Sequence, residues 1–429
     1  MDLEPFIPVR PRAEENLRKN FKQLSEMCGP NLPGRGRLLH AVSYYPRLLE
    51  GAYVAGYEHI PPVTESAPIM CFSHKKIHDV MALAQFMIGR PVNQFHNITL
   101  VAQGGLFHGI FPYQDMVPGF LKNRLLKLPL GLGSRFIARF FRGLFEDLNA
   151  YPVYRDGSDL PLTEEEYRGP GFAGPHVTGM SYPDFQKYTR QQTAKSVIQV
   201  QRDMEEKNRS FVILPEGRYC HDGRISELLD LAAYASLRKS RPIIYTTLSY
   251  DELCPDALGK IDVMMYTAPP VPPPESKNDF KEHMRKGRRL LQENTVIMAS
   301  SLLAAATFQE LQKSPVISRK SLKEKYEELF RRLQSSNHLY DPRLNDQQFR
   351  EERWGRYLSR KAFKWFSVSG DSMKVRPRRI LSYDDGERTV PDLLWNINNV
   401  IHASDTLELD PGTVEPDHFR SLCEARLPA

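Results

Sequence analysis

The sequence predicts an α/β protein: a central mixed, largely parallel sheet flanked by helices, preceded by N-terminal helices and followed by a C-terminal helical extension. Three observations carry that reading. Apolar runs of strand length, PIMCFS, ITLVAQ, FVILPEG and RPIIYTTLSYD, recur through the middle of the chain. Segments with helical spacing of apolar residues lie between them. The strand runs are apolar along most of their length instead of alternating, which suits strands covered on both faces.

The elements follow in order. EENLRKNFKQLSEM places Leu17, Phe21, Leu24 and Met27 at helix-like spacing, GPNLPGRG breaks it, and RLLHAVSYYPRLLEGAYV reads as a second, interrupted amphipathic segment. Pro68–Ser73 reads as a short buried strand and KIHDVMALAQFMIG as the helix after it. ITLVAQ and AYPVYR (150–155) are strands, and residues 156–185 are rich in Gly and Pro and read as a long loop. Tyr188–Lys207 is a helix, FVILPEG a strand ending in a turn, LLDLAAYASLRKS a helix, and RPIIYTTLSYD and IDVMMYT strands. Val296–Ala306 is too short to span a bilayer and reads as a buried helix; SLKEKYEELFRRLQ is a charged amphipathic one. The expected division is an N-terminal helical cap (1–60), an α/β domain (61–310) and a helical and mixed extension (311–429).

Composition narrows the function. Lys plus Arg is 58 against 52 Asp plus Glu, a surplus of +6 that is small for a nucleic-acid binder. Five Cys without a C-x-x-C pair give neither a disulfide framework nor a structural zinc site, so a reducing compartment is expected. The first residues lack the apolar core of a secretory signal, and no run is a clean transmembrane span. The excess positive charge has a location. Residues 120–142 hold Lys122, Arg124, Lys127, Arg135, Arg139 and Arg142 with no acid, interleaved with Leu and Phe. Basic and apolar residues so mixed suit a segment lying on an anionic membrane surface. The competing reading is a helical hairpin packed on the α/β domain.

Chemistry concentrates where strands end. After the first central strand comes His74-Lys75-Lys76-Ile77-His78-Asp79, with His74 and Asp79 five apart. At a strand-to-helix turn that spacing brings a carboxylate to one imidazole nitrogen, so that the other can take a proton from a hydroxyl. A metal reading competes, because His74 and His78 are one helical turn apart with Asp79 adjacent. His96, His108, His176 and His221 lack ligand spacing, so no metal is expected. Phe211–Arg218 reads as a buried strand running into Pro215-Glu216-Gly217 and a basic loop, where Arg218 and Arg224 with Gly217 suit a phosphate or polyol ligand. Arg155 ends one strand and Pro242 begins another.

These blocks in this order resemble the glycerolipid acyltransferase superfamily, closest to its glycerol-3-phosphate and dihydroxyacetone-phosphate acyltransferase branch. SHKKIHDV is similar to that branch's Ser-His-(Arg/Lys)-Ser-x-x-Asp block, ILPEGRYCHDGR to its Glu-Gly block, TLSYDEL to the end of its fourth block, and ENTVIMASSLLAAA to the apolar helix beyond, over roughly residues 65–305. Lys76 stands where the family often has Ser. Ungapped, Tyr219 and His221 stand where it has Arg.

The resemblance implies transfer of an acyl group from acyl-CoA or acyl carrier protein to a hydroxyl of glycerol-3-phosphate or a lysophospholipid. No further cofactor is implied. His74 would be the general base and Asp79 its orienting acid. Arg155, Arg218 and Arg224 would hold the acceptor phosphate, Glu216 and Gly217 would shape that loop, and Pro242 would shape the wall near the acyl chain. No G-x-S-x-G elbow offers a covalent nucleophile. A peripheral position on the cytoplasmic side of a membrane follows. The alternatives are the same fold acting on a non-phosphorylated or other lipid acceptor, a non-catalytic lipid-binding protein, or a metal hydrolase.

Overall fold

The computed structural model describes residues 6–28, 49–76, 79–104, 149–154, 163–168, 178–217, 220–382 and 388–424. Strands β1 (Ile7–Pro8), β2 (Leu49–Ala55), β3 (Ile69–Phe72), β4 (Ile98–Gln103), β5 (Ala150–Val153), β6 (Ser210–Ile213), β7 (Ile243–Tyr250) and β8 (Ile261–Thr267) form one sheet. Its order is β1-β2-β8-β7-β3-β6-β4-β5. Pairing is parallel from β7 through β3, β6 and β4 to β5, and between β2 and β8; β1 against β2 and β7 against β8 are antiparallel. The mixed, mostly parallel sheet flanked by helices that the sequence predicts is therefore the observed one.

The central strands are buried throughout, as strands covered on both faces must be. On one face, helices α1 (Val9–Lys19) and α2 (Asp79–Gly89) pack Val9, Leu17, Phe86 and Ile88 against Met70, Phe72, Ile244 and Leu248. On the other, α3 (Tyr182–Glu206), α4 (Leu231–Lys239) and α5 (Phe280–Glu293) pack Met204, Ala232 and Met284 against Ile69, Phe211 and Tyr245. The long helix α3 starts at Tyr182, earlier than its apolar spacing indicates. Ser181 caps it by accepting from the Asp184 N–H at 3.3 Å, and Pro183 sits in the first turn, where its missing N–H costs nothing.

Two local readings are corrected. The segment read as helical over 37–54 ends in strand β2, whose Ala52, Val54 and Ala55 are buried in register with Val263, Met265 and Tyr266 of β8; tertiary pairing overrides a weak helical pattern. The stretch read as loop contains a short helix, Glu164–Arg168, started by a reciprocal capping box: Thr163 Oγ1 accepts from the Glu166 N–H and the Glu166 carboxylate accepts from the Thr163 N–H.

The C-terminal part builds a core of its own around α6 (Ala299–Lys313), which is apolar nearly all round and buried from Ala299 to Leu311. Helices α7 (Arg319–Gln334), α8 (Gln347–Tyr357), α9 (Asp392–Asn398) and α10 (Pro416–Glu424) surround it. A three-stranded antiparallel sheet of β9 (Val316–Ser318), β10 (Phe366–Ser369) and β11 (Ser372–Val375) completes this part. Among the described residues no helix is long and apolar enough to cross a membrane.

Candidate active site

Because β3, β4, β5, β6 and β7 run parallel, the residues that follow them gather along one edge of the sheet. Open α/β sheets bind ligands at that edge. His74 follows β3, Tyr154 follows β5, Glu216 follows β6 and Asp251 follows β7.

Asp79 opens helix α2, where the helix dipole favours a negative charge. Its carboxylate is buried and fully used. One oxygen, Oδ2, accepts from His74 Nδ1 at 2.9 Å, from the Lys75 N–H at 2.5 Å and from the Lys76 N–H at 2.9 Å. The other, Oδ1, accepts from the Tyr250 hydroxyl at 2.6 Å. These donors replace the water lost on burial, and hydrogen bonds to a charged group are each worth about 1.5–3 kcal/mol. Burial, and then Asp79 beside it, push the Tyr250 hydroxyl well above the ordinary tyrosine range, so Tyr250 stays a donor. With Nδ1 held by Asp79, proton exchange falls to Nε2 of a ring whose side chain is only 13% exposed.

Glu216 holds the same turn from the other side. Its Oε1 accepts from the His74 N–H at 2.7 Å, and its Oε2 accepts from the Ser226 N–H at 3.1 Å and from the Cys220 thiol at 2.6 Å. The Cys220 N–H in turn donates to the His74 carbonyl at 2.8 Å. Burial raises the Glu216 carboxyl and the positive charge of Lys75 works against that rise. Burial, and then Glu216, push the Cys220 thiol far up, which leaves it a poor nucleophile. Lys75 is buried too, its ammonium 3.4 Å from the Gly223 carbonyl.

Lys76 leads away from the sheet into the C-terminal part. Its ammonium lies 4.3 Å from the Tyr250 ring centre and pairs with Glu252. Glu252 pairs in turn with Arg388, Arg388 reaches Asp392 at 2.7 Å, and Asp392 accepts from Lys361 at 2.9 Å. Burial would raise the Glu252 carboxyl, but Arg388 and Lys76 outweigh it and hold the group far below the ordinary glutamate range. Helix α9 covers the Cys220–Arg224 loop: Trp395 Nε1 donates to the Cys220 carbonyl and Asn398 to the Asp222 carbonyl, both at 2.9 Å. Gly223 has φ +88°, and a Cβ there would meet the Trp395 carbonyl oxygen at 2.4 Å, so no larger residue fits.

The residues singled out from sequence are thus distributed unevenly. His74, Asp79 and Glu216 form one network, with Gly217 (φ +71°) in its turn. Arg224 lies on the neighbouring loop and donates to Glu415 at 3.1 Å and to the Val414 carbonyl at 3.4 Å. Pro242 precedes β7 at the opposite end of the sheet, its carbonyl accepting from the Ile69 N–H. A strand the length of β3 separates it from His74, roughly 15 Å. Arg155, Arg218, His78 and the six bases of residues 120–142 lie outside the described residues. Sequence reasoning missed Lys75, Tyr250, Glu252, Arg388 and Trp395. Tyr250 and Glu252 stand inside the quoted TLSYDEL, and the order of charges there was the available signal.

No family model and no curated protein matches the chain. Among solved structures it is similar to the 1-acyl-sn-glycerophosphate (LPA) acyltransferase PlsC from Thermotoga maritima, at 11% identity and a TM-score of 0.33. The match covers 66% of this chain and 92% of that one.

Proposed function

We propose that this chain is a glycerolipid O-acyltransferase. The observation that carries the reading is the His74–Asp79 pair, held at 2.9 Å by a carboxylate oxygen that two backbone N–H groups also fix. His74 Nε2 takes the proton of the acceptor hydroxyl as its oxygen attacks the thioester carbonyl. The carbon–sulfur bond breaks, the thiolate leaves, and the proton passes from His74 to that sulfur. Asp79 keeps the imidazole in one tautomer and stabilises it while it is charged. Cys220 lies close by, but its raised pKa and its bond to Glu216 argue for direct transfer without an acyl-enzyme.

The donor on this reading is acyl-CoA or acyl carrier protein, and the acceptor is glycerol-3-phosphate or a lysophospholipid. Arg155, Arg218 and Arg224 hold the phosphate and residues 120–142 rest on an anionic membrane, which places the protein at the cytoplasmic face. A second reading, an acceptor without phosphate, is favoured by one observation: the Arg224 guanidinium is engaged by Glu415. Thiol release from acyl-CoA, measured against a panel of phosphorylated and non-phosphorylated acceptors, separates the two. His74→Ala is expected to remove nearly all turnover with the fold intact. Turnover at the parent rate in that variant sinks the reading, as does thiol release by the parent with none of the acceptors.

A further inference from the structure

The two most exposed large apolar side chains among the described residues are Leu258, 76% exposed, and Phe363, 63% exposed. They are far apart in sequence and meet on one surface, because Arg360, three residues before Phe363, donates to the carbonyl of Ala257 at 3.2 Å. Around them six bases are exposed: Arg360, Lys364, Lys374, Arg376, Arg378 and Arg379. Backbone pairing holds the cluster together. Lys374 sits opposite Ser367 in the β10–β11 ladder, and the Arg376 N–H donates to the Trp365 carbonyl at 2.7 Å.

Some surface bases pair with acids, as in Arg10–Glu14, Lys19–Glu15, Arg168–Glu164 and Lys323–Glu351. None of these six has an ion pair among the described residues. Two acids share the face: Asp371, which accepts from the Ser318 hydroxyl and the Lys320 N–H, and Asp256, which accepts from the Leu258 and Lys260 N–H groups. Among the described residues the six bases outnumber these two acids, so the face is a net positive field with two apolar side chains projecting from it. A bilayer with anionic headgroups satisfies both features, since it attracts the bases and takes the apolar tips below the headgroups. Nucleic acid or an acidic protein satisfies only the charge.

The location agrees. Leu258 lies in the connection that leaves β7 at the sheet edge where His74 sits. Lys361, in the same turn as Arg360, points inward to Asp392 and so joins the chain of ion pairs that ends at Lys76. We propose that the Leu258 turn and residues 360–379 form a second docking surface for an anionic lipid bilayer, built by the C-terminal part beside the site. The choice of a lipid partner rests on the transferase reading; the surface itself does not.

The test is co-sedimentation of the full chain with phosphatidylcholine vesicles, with and without phosphatidylserine. One variant carries Leu258→Ser and Phe363→Ser, the other Lys364→Glu, Arg378→Glu and Arg379→Glu. The parent is expected to bind only the anionic vesicles. Removing a base weakens such binding about five-fold, so the charge variant should lose two orders of magnitude or more. The apolar variant should lose at least about ten-fold while keeping the parent's retention on heparin. Both should keep the parent's melting temperature and its thiol release from a water-soluble short-chain donor. Parent-like vesicle binding by either variant overturns the proposal; if only the charge variant loses binding, the partner is a polyanion and not a bilayer. A parent that binds vesicles through this face and transfers no acyl group sinks the transferase reading alone.

Discussion

Replacing Asp79 by Asn removes one charge and almost no volume, so it separates the catalytic part of this carboxylate from its structural part. The Asn oxygen can still accept from the Lys75 and Lys76 N–H groups, and its amide can donate to the Tyr250 hydroxyl; the variant should fold with a loss of no more than about 2 kcal/mol. What it cannot do is stabilise a protonated His74. At 2.9 Å between Nδ1 and Oδ2, an effective dielectric of about 20 gives an attraction of about 6 kcal/mol between unit charges. That is roughly four decades in rate. The amide dipole recovers part of it, so a fall of about 10³–10⁴ in kcat/KM is expected, with a melting temperature close to the parent's. The assay is thiol release from acyl-CoA with the best acceptor of the panel. A folded Asp79→Asn protein that keeps activity within ten-fold of the parent refutes His74 as a base that becomes charged.

Three further outcomes follow from the same network. Glu216→Ala leaves the His74 and Ser226 N–H groups without their acceptor; at about 1–3 kcal/mol for each stranded donor, urea unfolding should show a loss of about 2–6 kcal/mol. The Glu252 carboxyl is depressed in the folded chain from its ordinary 4.5, so its contribution is complete above that pH and is lost as pH falls below it. The stability cost of Glu252→Gln should therefore be larger at pH 7 than at pH 3.5, by about 1 kcal/mol; an equal cost at both refutes the assignment. Gly223→Ala combines a left-handed backbone with a Cβ placed 2.4 Å from the Trp395 carbonyl oxygen, and should lower the thermal midpoint by the equivalent of about 2 kcal/mol or more.

The legible part of the molecule was the part encoded locally. Strands β3, β4, β6 and β7 lie in predominantly apolar runs of strand length bounded by turns, the local signature of strands covered on both faces. His74 and Asp79 were legible because both lie in one strand-to-helix turn, where a five-residue spacing fixes their approach. Glu216 was legible as part of the strand-end cluster but not in its contacts: nothing in PEGRYC says that the carboxylate turns inward to the His74 N–H. The distance of Pro242 from His74 was hidden for a related reason. A residue that begins a strand lies at the far end of a parallel sheet from one that ends a strand, and that distinction needs strand direction, which block order alone does not supply. β2 was hidden because its pattern is weak and its pairing partner, β8, lies some two hundred residues away.

Lys76 shows how the C-terminal part is tied to the His74–Asp79 turn. A serine there would end the side chain at the turn. A lysine buried at the same point brings a charge that must be paired, and the pairing is supplied by Glu252 from the β7 exit and, behind it, by Arg388, Asp392 and Lys361 from beyond the α/β sheet. Removing one partner from a buried set of this kind typically costs about 3–5 kcal/mol, so the lysine and the extension require each other. The backbone N–H of that same Lys76 is one of the donors that fix Asp79. A disturbance at Arg388 therefore has a short covalent path to the His74–Asp79 geometry through Lys76, while a disturbance at Trp395 or Asn398 reaches it through the Cys220 N–H on the His74 carbonyl. One route ends on the Asp79 carboxylate and the other on the His74 backbone carbonyl, so the C-terminal part braces the candidate site at both residues of the pair.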